Sequence, residues 1–341
     1  MLNWFKSYLE SRAQYTCING CSSLLSVIDY GVPQGSVLGP LLFLIFINDI
    51  GFLPNLINKP KLFADDTNLF VDSPTLSDLQ IKCQNSIDQI SDWLLANKLT
   101  VNHSKTCYML FTPPAYCNKN SELDLHINKN KINKVSSTKY LGVVIDENLD
   151  WKPHIYNLSV ELRKFIGIFY KLSFKLPPFI LRTLYFTFVY SRILYAIEVY
   201  ANTFLTYLHD LIVINNRILR IMQHATRFTR VTDLYSTYNT LPVNKLFQFQ
   251  ILLHAYKLLF CSDMLPTIFH YPKLTNCAFH SHNTRTKFDF HFVTFNTTAG
   301  SKISYKLCAK FWNLLPLNLK ESNNIKTFVR VVKAYLSNNE L

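Results

Sequence analysis

The chain has 341 residues, of which 49% are hydrophobic and 14% are aromatic. This composition excludes a disordered chain and suffices for a large buried core, and the length predicts two or three domains. The net charge of +13 is uneven, because residues 1–150 carry 12 Lys and Arg against 14 Asp and Glu, whereas residues 151–341 carry 23 against 8.

A loop rich in glycine and proline precedes an apolar run near the N-terminus. Three of the eight glycines lie between Gly31 and Gly39, beside Pro33 and Pro40. Glycine lacks a Cβ atom and tolerates unusual dihedral angles, so such a loop can bring its backbone close to a ligand. The run over residues 41–50 predicts a buried helix, because about ten apolar residues are too few to span a bilayer.

Two adjacent aspartates, Asp65 and Asp66, lie between the short apolar runs 61–64 and 67–71. The pattern predicts a strand, a tight turn and a second strand, with both carboxylates at the hairpin tip and little apolar cover. Adjacent carboxylates repel each other and gain by sharing a cation, and oxygen ligands without His or Cys favour Mg²⁺ or Mn²⁺. The alternative is a solvated turn, since Asp is a common turn residue.

Helix and strand patterns alternate up to residue 150. Apolar positions over residues 76–94 predict a helix that starts near Thr75 and packs on the back of a sheet. A strand is predicted over residues 106–111 and a pair of strands over residues 139–146.

Beyond residue 151 the sequence predicts helices, over residues 155–172 and about 178–204, 208–228 and 245–260. The aromatic stretch 165–199 predicts a buried helical layer and not a membrane span, because charged residues and two prolines interrupt it. The C-terminal part of the helix predicted over 208–228 and the residues just after it contain four arginines, Arg217, Arg220, Arg227 and Arg230. Their spacing places most of them on related helix faces.

Five ordered motifs resemble the reverse transcriptase palm of non-LTR (LINE-type, jockey-like) retrotransposons. Residues 2–14 are similar to the segment that leads into the second palm motif, and residues 31–40 match that motif almost letter for letter. Residues 63–66 resemble the metal-binding box, residues 93–106 the fourth motif and residues 139–146 the hairpin that grips the primer. The resemblance covers nearly the whole chain, and residues 309–336 look like the tail of jockey-like elements.

The resemblance implies an α+β fold. Residues 1–150 are expected to form an incomplete polymerase palm, an antiparallel sheet with packed helices. Residues 151–235 are expected to form a helical, thumb-like region, and residues 236–341 a helical and irregular basic C-terminal region.

The resemblance also implies the site residues. The expected catalytic residues are Asp65, Asp66 and Lys105, with Asp65 and Asp66 as ligands of Mg²⁺ or Mn²⁺ in a two-metal nucleotidyl transfer. The residues expected to border the nucleotide and the template are Gly31, Pro33, Gln34, Gly35 and Ser36. The expected primer grip is Tyr140, Leu141 and Gly142. The arginines at 217, 220, 227 and 230 are expected to contact nucleic-acid phosphates, with a solvated basic face as the alternative.

The expected partners are an RNA template, a DNA primer and deoxynucleoside triphosphates. The alternative polyanion for the basic half of the chain is an acidic membrane surface. No insertion into a membrane is expected. No protein partner can be inferred. The compartment cannot be read from the sequence; an intracellular place in the cytoplasm, the nucleus or both fits a retroelement product.

The aspartate of the family's first palm motif has no match in the sequence. Glu10 and Asp29 are the acidic residues before Gly31, and neither fits the motif. The expectation is therefore a chain that starts after that motif and does not polymerise alone. The alternatives are a polymerase completed by another segment, a nucleic-acid-binding remnant without turnover, and a degenerate product without function.

Overall fold

The computed structural model describes residues 2–28, 30–53, 59–112, 121–269, 275–276, 289–291, 300, 302–322 and 324–339. The chain divides into two compact units, residues 1–135 and residues 136–341. The predicted three-way division at residues 150 and 235 stays a prediction. Among the described helices, none is both long and apolar enough to cross a lipid bilayer.

The first unit combines three helices with short strands. Its helices are α1 (Leu2–Leu9), α2 (Gly39–Ile47) and α3 (Leu76–Ala96), with a 3₁₀ helix at Asn48–Phe52. Its strands are β1 (Arg12–Gln14), β2 (Cys17–Ile18), β3 (Cys21–Ser22), β4 (Ser26–Ile28), β5 (Lys61–Phe63), β6 (Asp66–Asn68), β7 (Cys107–Tyr108), β8 (His126–Ile127), β9 (Asn130–Lys131) and β10 (Asn133–Lys134).

The strands of the first unit form two-stranded pairs within the described residues. The pairs β1–β4, β2–β3, β5–β6 and β8–β9 are antiparallel, and β7–β10 is parallel. The predicted mixture of helices and strands is confirmed, whereas the incomplete palm sheet stays a prediction. The strand expected over residues 106–111 is shorter, because its ladder with β10 involves only residues 107–108.

Helix α3 is the centre of the first unit, and its predicted start is confirmed. The Thr75 side chain accepts a hydrogen bond from the Asp78 amide and so caps the helix. The N-terminal half of α3 packs on an apolar cluster around Leu125 and Ile127. The C-terminal half contributes Ile90 to a second cluster that includes residues of α2 and of the β5–β6 hairpin.

Helix α2 forms as predicted, but its predicted burial is wrong. The sequence of α2 is apolar all round, so sequence alone cannot tell which side meets the core. Ile47 is buried with Ile50 and Ile90, and Phe43 packs against them. Leu41 and Ile45 stay 54% and 65% exposed, because only one side of this short helix faces that cluster.

The second unit begins with an antiparallel hairpin and continues as helices. The hairpin strands are β11 (Ser137–Tyr140) and β12 (Val143–Asp146), which confirms the predicted strand pair. The helices are α4 (Lys152–Ser173), α5 (Pro178–Leu184), a π-helical segment (Tyr185–Tyr190), α6 (Ser191–Leu194), α7 (Ile197–Tyr200), α8 (Leu205–Met222), α9 (Val231–Thr237), α10 (Val243–Phe260), α11 (Ser304–Asn313), α12 (Leu317–Lys320) and α13 (Ile325–Asn338). Two 3₁₀ turns, Ser262–Met264 and Thr267–Phe269, follow α10.

Helices α4 and α8 pack side by side and run in the same direction. Arg163 lies 3.1 Å from Asp210 near their middles, and the rings of Phe174 and His224 lie 5.4 Å apart just beyond their C-terminal ends. The amphipathic pattern predicted for α4 is confirmed, because its apolar positions at three- and four-residue steps are buried in the main core of this unit.

Two predicted helix limits in this unit are wrong. The helix expected over residues 178–204 breaks at Tyr195, whose backbone is extended, and at Ala196, which has a φ of 55°. The helix expected to reach residue 228 ends at Met222. His224 there has a φ of 48°, and the amides of His224 and Ala225 bond back to carbonyls of α8, as in a Schellman motif.

Candidate functional site

The aspartate pair lies at the tip of the β5–β6 hairpin, as predicted. Phe63 is paired with Asp66, so Ala64 and Asp65 form a two-residue turn. Ala64 has a positive φ of 50°, which such tight turns require. Asp65 and Asp66 are both exposed, and the carboxylates therefore have the open surroundings expected of them.

The hairpin is held from below by apolar contacts. Leu62 on β5 and Leu69 just after β6 pack in the cluster of Ile90 and Trp93 on helix α3. Apolar packing therefore fixes the base of the hairpin, and the tip carries the two carboxylates. This arrangement lets two carboxylates face solvent without loss of the strand pairing.

The site has few metal ligands of its own. Across the described residues, no three His, Cys, Asp or Glu side chains are grouped closely enough to hold a metal ion. Asp65 and Asp66 offer only oxygen atoms, and Mg²⁺ is commonly bound by one or two carboxylates together with substrate phosphates and water. The pair fits a hard cation that takes its other ligands from a substrate.

The glycine loop has the backbone geometry that its sequence predicts. Gly31 and Gly35 have φ angles of 84° and 80°, in the region that favours glycine. Gly39 is needed for space, because a Cβ atom there would lie 2.9 Å from the Ser36 hydroxyl. Gln34 and Gly35 are exposed, so the loop presents a side-chain amide and open backbone to solvent.

Ser36 ties the loop to its surroundings. Its hydroxyl donates to the Pro33 carbonyl at 2.7 Å and accepts from the Gly39 amide at 3.1 Å. The hydroxyl of Tyr8 on α1 donates to Ser36 at 2.6 Å. The loop therefore enters α2 with its turn closed by hydrogen bonds.

Two cationic side chains also hold the loop, and the sequence alone assigns neither of them a role. The Arg12 guanidinium donates to the carbonyl of Gly31. The Lys98 ammonium donates to the Tyr30 hydroxyl at 3.0 Å and lies 4.2 Å from the centre of that ring. Both belong to segments that resemble family motifs, but their partners lie 19 and 68 residues away in sequence, and no local pattern shows such a pairing.

Lys105 is exposed in a turn that precedes β7. The amides of Lys105 and Thr106 donate to the Asn102 carbonyl at 3.2 Å and 3.1 Å. The turn fixes the backbone and leaves the ammonium in solvent.

In the second unit, the β11–β12 hairpin turns at Leu141 and Gly142. Both residues have positive φ angles, 46° and 82°, as in type I′ turns. The hydroxyl of Tyr195, at the break after α6, donates to the Leu141 carbonyl at 2.6 Å. A Cβ atom on Gly142 would lie 3.2 Å from the Tyr195 ring, so the turn and the ring are in close contact.

An open groove of about 870 Å³ lies beside this turn. Its walls come from the hairpin, α4, the π-helical segment and α6, with polar lining from Lys139, Asn157 and Glu161. Arg192 also lines the groove and lies 3.7 Å from Glu161. The groove therefore combines two cations with hydrogen-bonding groups beside the backbone of the turn.

His154 fixes the hairpin to α4. Its Nδ1 accepts a hydrogen bond from the Val144 amide at 3.3 Å, and its ring lies 4.9 Å from that of Tyr200. Burial lowers the pKa of His154, with a smaller opposing effect of Glu161. The neutral imidazole is therefore the form that joins β12 to the helix.

The four predicted arginines do not share one helix face. Arg217 is exposed and Arg220 is half-buried on α8, and the Arg220 Nε is buried without a hydrogen-bond partner among the described residues. Arg227 and Arg230 are exposed, but both lie beyond the end of α8 at Met222. The predicted placement of most of these arginines on related faces of one helix is therefore wrong, because the helix ends at Met222 and the chain turns at His224.

Comparisons with known proteins agree with the motifs. The family model for reverse transcriptase (RNA-dependent DNA polymerase) matches residues 1–145. The RNA-directed DNA polymerase from mobile element jockey of Drosophila funebris is 28% identical over 244 residues, which is 67% of this chain and 26% of that protein. The probable RNA-directed DNA polymerase from transposon BS of Drosophila melanogaster is 27% identical over 248 residues, 69% of this chain and 27% of that protein. A retrovirus-related Pol polyprotein from type-1 retrotransposable element R1 2 of Nasonia vitripennis is 27% identical over 139 residues, 39% of this chain and 33% of that protein.

The chain spans about a quarter of the length of the jockey and BS proteins. The matched segment 1–145 contains the glycine loop and the hairpin of Asp65 and Asp66. The resemblance seen in the motifs is confirmed: residues 1–145 match the reverse transcriptase family model, and two thirds of the chain is similar to RNA-directed DNA polymerases of the jockey and BS mobile elements.

Proposed function

We propose that this chain works as part of an RNA-directed DNA polymerase, which adds deoxynucleotides to the 3′-hydroxyl of a DNA primer along an RNA template. The observation that carries the proposal is the exposed carboxylate pair, Asp65 and Asp66, at the tip of a hairpin within the matched reverse transcriptase segment. Polymerisation requires oxygen ligands for divalent ions at a place open to a nucleotide, and the hairpin tip meets both needs.

Asp65 and Asp66 are the proposed ligands of Mg²⁺ or Mn²⁺. When bound, the two ions of such a site lower the pKa of the primer hydroxyl and balance the charge of the triphosphate. Asp65 is the principal ligand and Asp66 the secondary one. The exposed ammonium of Lys105 is suited to balance charge that develops on the leaving pyrophosphate.

The glycine loop is the proposed border of the nucleotide and the template base. Gly31 and Gly35 leave room for a base pair, and the Gln34 amide can donate or accept a hydrogen bond without selecting a sequence. Pro33 and Ser36 hold the turn in shape through the hydroxyl-to-carbonyl bond between them. The loop is thus a rigid, uncharged surface for a varying base.

The second unit is proposed to contact the nucleic acid away from the atoms that react. Tyr140, Leu141 and Gly142 position the primer end through backbone atoms. Arg217, Arg220, Arg227 and Arg230 contact phosphates. Together these assignments propose an incomplete palm over residues 1–150, a thumb over residues 151–235 and a basic C-terminal region over residues 236–341.

We also propose that residues 1–341 alone do not extend a primer. Two neighbouring carboxylates on one hairpin tip provide too few ligands to bind two divalent ions tightly. Among the described residues, no third carboxylate, His or Cys lies close enough to complete the site.

Primer extension and metal binding test the two proposals separately. The purified chain receives an RNA template with an annealed DNA primer, nucleotides and Mg²⁺, and we expect no extension. Weak Mn²⁺ binding, followed by electron paramagnetic resonance, is expected for a site with so few protein ligands. Asp65→Asn should abolish that binding, whereas Asp72→Asn, a change of an exposed aspartate just after the hairpin, should leave it unchanged.

The outcomes are distinguishable. Strong extension that depends on Asp65 would refute the proposed inactivity and support the polymerase. Equal Mn²⁺ binding by the native chain and Asp65→Asn would refute the metal assignment itself.

A non-catalytic nucleic-acid-binding protein is the second candidate. It is favoured by the 23 Lys and Arg against 8 Asp and Glu in residues 151–341. A steep loss of RNA affinity with rising salt, together with no Mn²⁺ binding, would select this candidate.

A further inference from the structure

The C-terminal ends of α4 and α8 bring aromatic rings together at one surface of the second unit. The ring of Phe174, the residue after α4, lies 5.4 Å from that of His224, the second residue beyond α8. Tyr170, one turn earlier on α4, meets Phe174 edge to face with ring centres 5.6 Å apart. The Schellman motif at the end of α8 holds His224 in this position.

A further ring follows on a turn four residues after His224. Thr226–Thr229 is closed by a hydrogen bond from the Thr229 amide to the Thr226 carbonyl at 3.2 Å. Arg227 and Phe228 occupy the two middle positions, and the Arg227 guanidinium lies 4.8 Å from the centre of the Phe228 ring. We call Tyr170, Phe174, His224, Arg227 and Phe228 the aromatic end.

The rings of the aromatic end are far more exposed than the fold requires. Tyr170 is 60% exposed, Phe174 is 70% exposed and Phe228 is 80% exposed. Rings that stay in solvent contribute little to folding, because the hydrophobic effect acts on area removed from water. Exposed aromatic clusters with polar surroundings are typical of binding surfaces.

The two sequence segments that carry the aromatic end are strongly basic. Residues 162–197 and 211–232 contain no Asp or Glu, and they include Lys171, Lys175 and Arg217. Cations near helix C-termini are favoured by the helix dipole, and that explains part of the charge. The dipole does not explain the exposed rings. Exposed rings together with basic side chains are suited to a ligand that has both flat apolar faces and negative charge.

We propose that the aromatic end binds single-stranded nucleic acid, with unpaired bases stacked on Phe174 and Phe228 and with Arg227 and the nearby lysines on phosphates. The proposal rests on the proposed function for the kind of ligand, and it adds base contacts and strand state to that function. Every base has a π-face, so such stacking is independent of sequence. In a duplex these faces are covered by neighbouring bases, and a duplex therefore gains only the phosphate contacts.

Fluorescence anisotropy with labelled oligonucleotides tests the proposal on the full chain. The probes are a single-stranded RNA of about 12 nucleotides, the matching duplex and a single strand of the same length without bases. The native chain should bind the single strand more tightly than the strand without bases by about tenfold or more. Phe174→Ala and Phe228→Ala should each weaken single-strand binding by about tenfold and leave binding of the strand without bases unchanged.

Phe204→Ala is the matched control. Phe204 is 61% exposed and precedes α8, so it is an exposed ring at the opposite end of the same helix. This variant should bind all three probes like the native chain. Arg227→Gln should lower the slope of log affinity against log salt by about 0.7, as expected for one lost contact to a single strand, whereas the two Phe variants should keep the native slope.

The results separate this proposal from the proposed function. Native-like single-strand binding by both Phe variants, or equal native affinity for strands with and without bases, would overturn the stacking site and leave phosphate binding intact. No binding of any probe by the native chain would overturn both. A change in oligomeric state of the Phe variants without a change in nucleic-acid affinity would assign the rings to protein contact and overturn the proposal.

Discussion

The Tyr195 hydroxyl is expected to hold the turn of the β11–β12 hairpin closed. Its hydrogen bond to the Leu141 carbonyl is 2.6 Å long, and Leu141 has a φ of 46°, a conformation that costs a non-glycine residue roughly 1–2 kcal/mol. Tyr195→Phe keeps the ring against Gly142 and removes only the hydroxyl. The loss of one neutral hydrogen bond, about 1 kcal/mol, should raise the open population of the turn about fivefold.

Amide hydrogen exchange measures this opening directly. We expect the amides of residues 139–144 to exchange about fivefold faster in Tyr195→Phe under conditions in which reclosing is faster than chemical exchange, so that the exchange rate follows the open population. Tyr156→Phe is the matched control, because Tyr156 is 64% exposed, lines the same groove, and its hydroxyl has no hydrogen-bond partner among the described residues. Unchanged exchange in Tyr195→Phe, or an equal increase in Tyr156→Phe, would refute the role of this hydrogen bond.

Three further predictions concern stability. Gly35 has a φ of 80°, and no atom lies within 4 Å of the position that a Cβ would take. Gly35→Ala should therefore lower the free energy of unfolding in urea by about 1 kcal/mol, through backbone strain alone. Gly51 is equally open but has no positive φ, so Gly51→Ala should not lower it. The buried Asn215 accepts from the Tyr185 hydroxyl at 3.0 Å; Asn215→Leu should therefore cost about 2 kcal/mol in the same assay, and adding Tyr185→Phe should recover part of it. Because burial lowers the pKa of His154 below its ordinary 6.5, the unfolded chain takes up the proton first, and stability should fall as the pH drops below about 6.5, by at most about 1.4 kcal/mol per pH unit for this group. His154→Asn should weaken that pH dependence in thermal unfolding, and an unchanged profile would contradict the assignment.

The parts of the fold that sequence predicted well carry their signals locally. The β5–β6 hairpin follows from two apolar runs around two turn-forming aspartates, and α3 follows from its apolar spacing after Thr75. In both cases the residues that decide the structure lie within one turn of the element. The same holds for the β11–β12 hairpin, whose turn contains Gly142.

The parts that sequence predicted poorly depend on contacts that are distant along the chain. The apolar pattern of α2 contains no polar face, so the choice of its buried side depends on Ile50 and Ile90. The glycine loop shows its flexibility in sequence, but its fixation by Arg12 and Lys98 depends on partners far away. Local patterns thus identify the candidate site, whereas its support is a property of the folded unit.

The end of α8 shows how one such failure changes the functional interpretation. Helices often end at a glycine in the left-handed region, and here His224 takes that conformation, so the sequence contains no clear stop signal. A helix continued to residue 228 would carry Arg217, Arg220 and Arg227 along its side and favour contact with phosphates along the helix axis. Because the helix ends at Met222, Arg227 lies instead on a turn with Phe228 stacked beneath its guanidinium. The basic surface therefore belongs to the end of the helix pair, where exposed rings accompany the charges, and this arrangement suits unpaired bases better than the uniform backbone of a duplex.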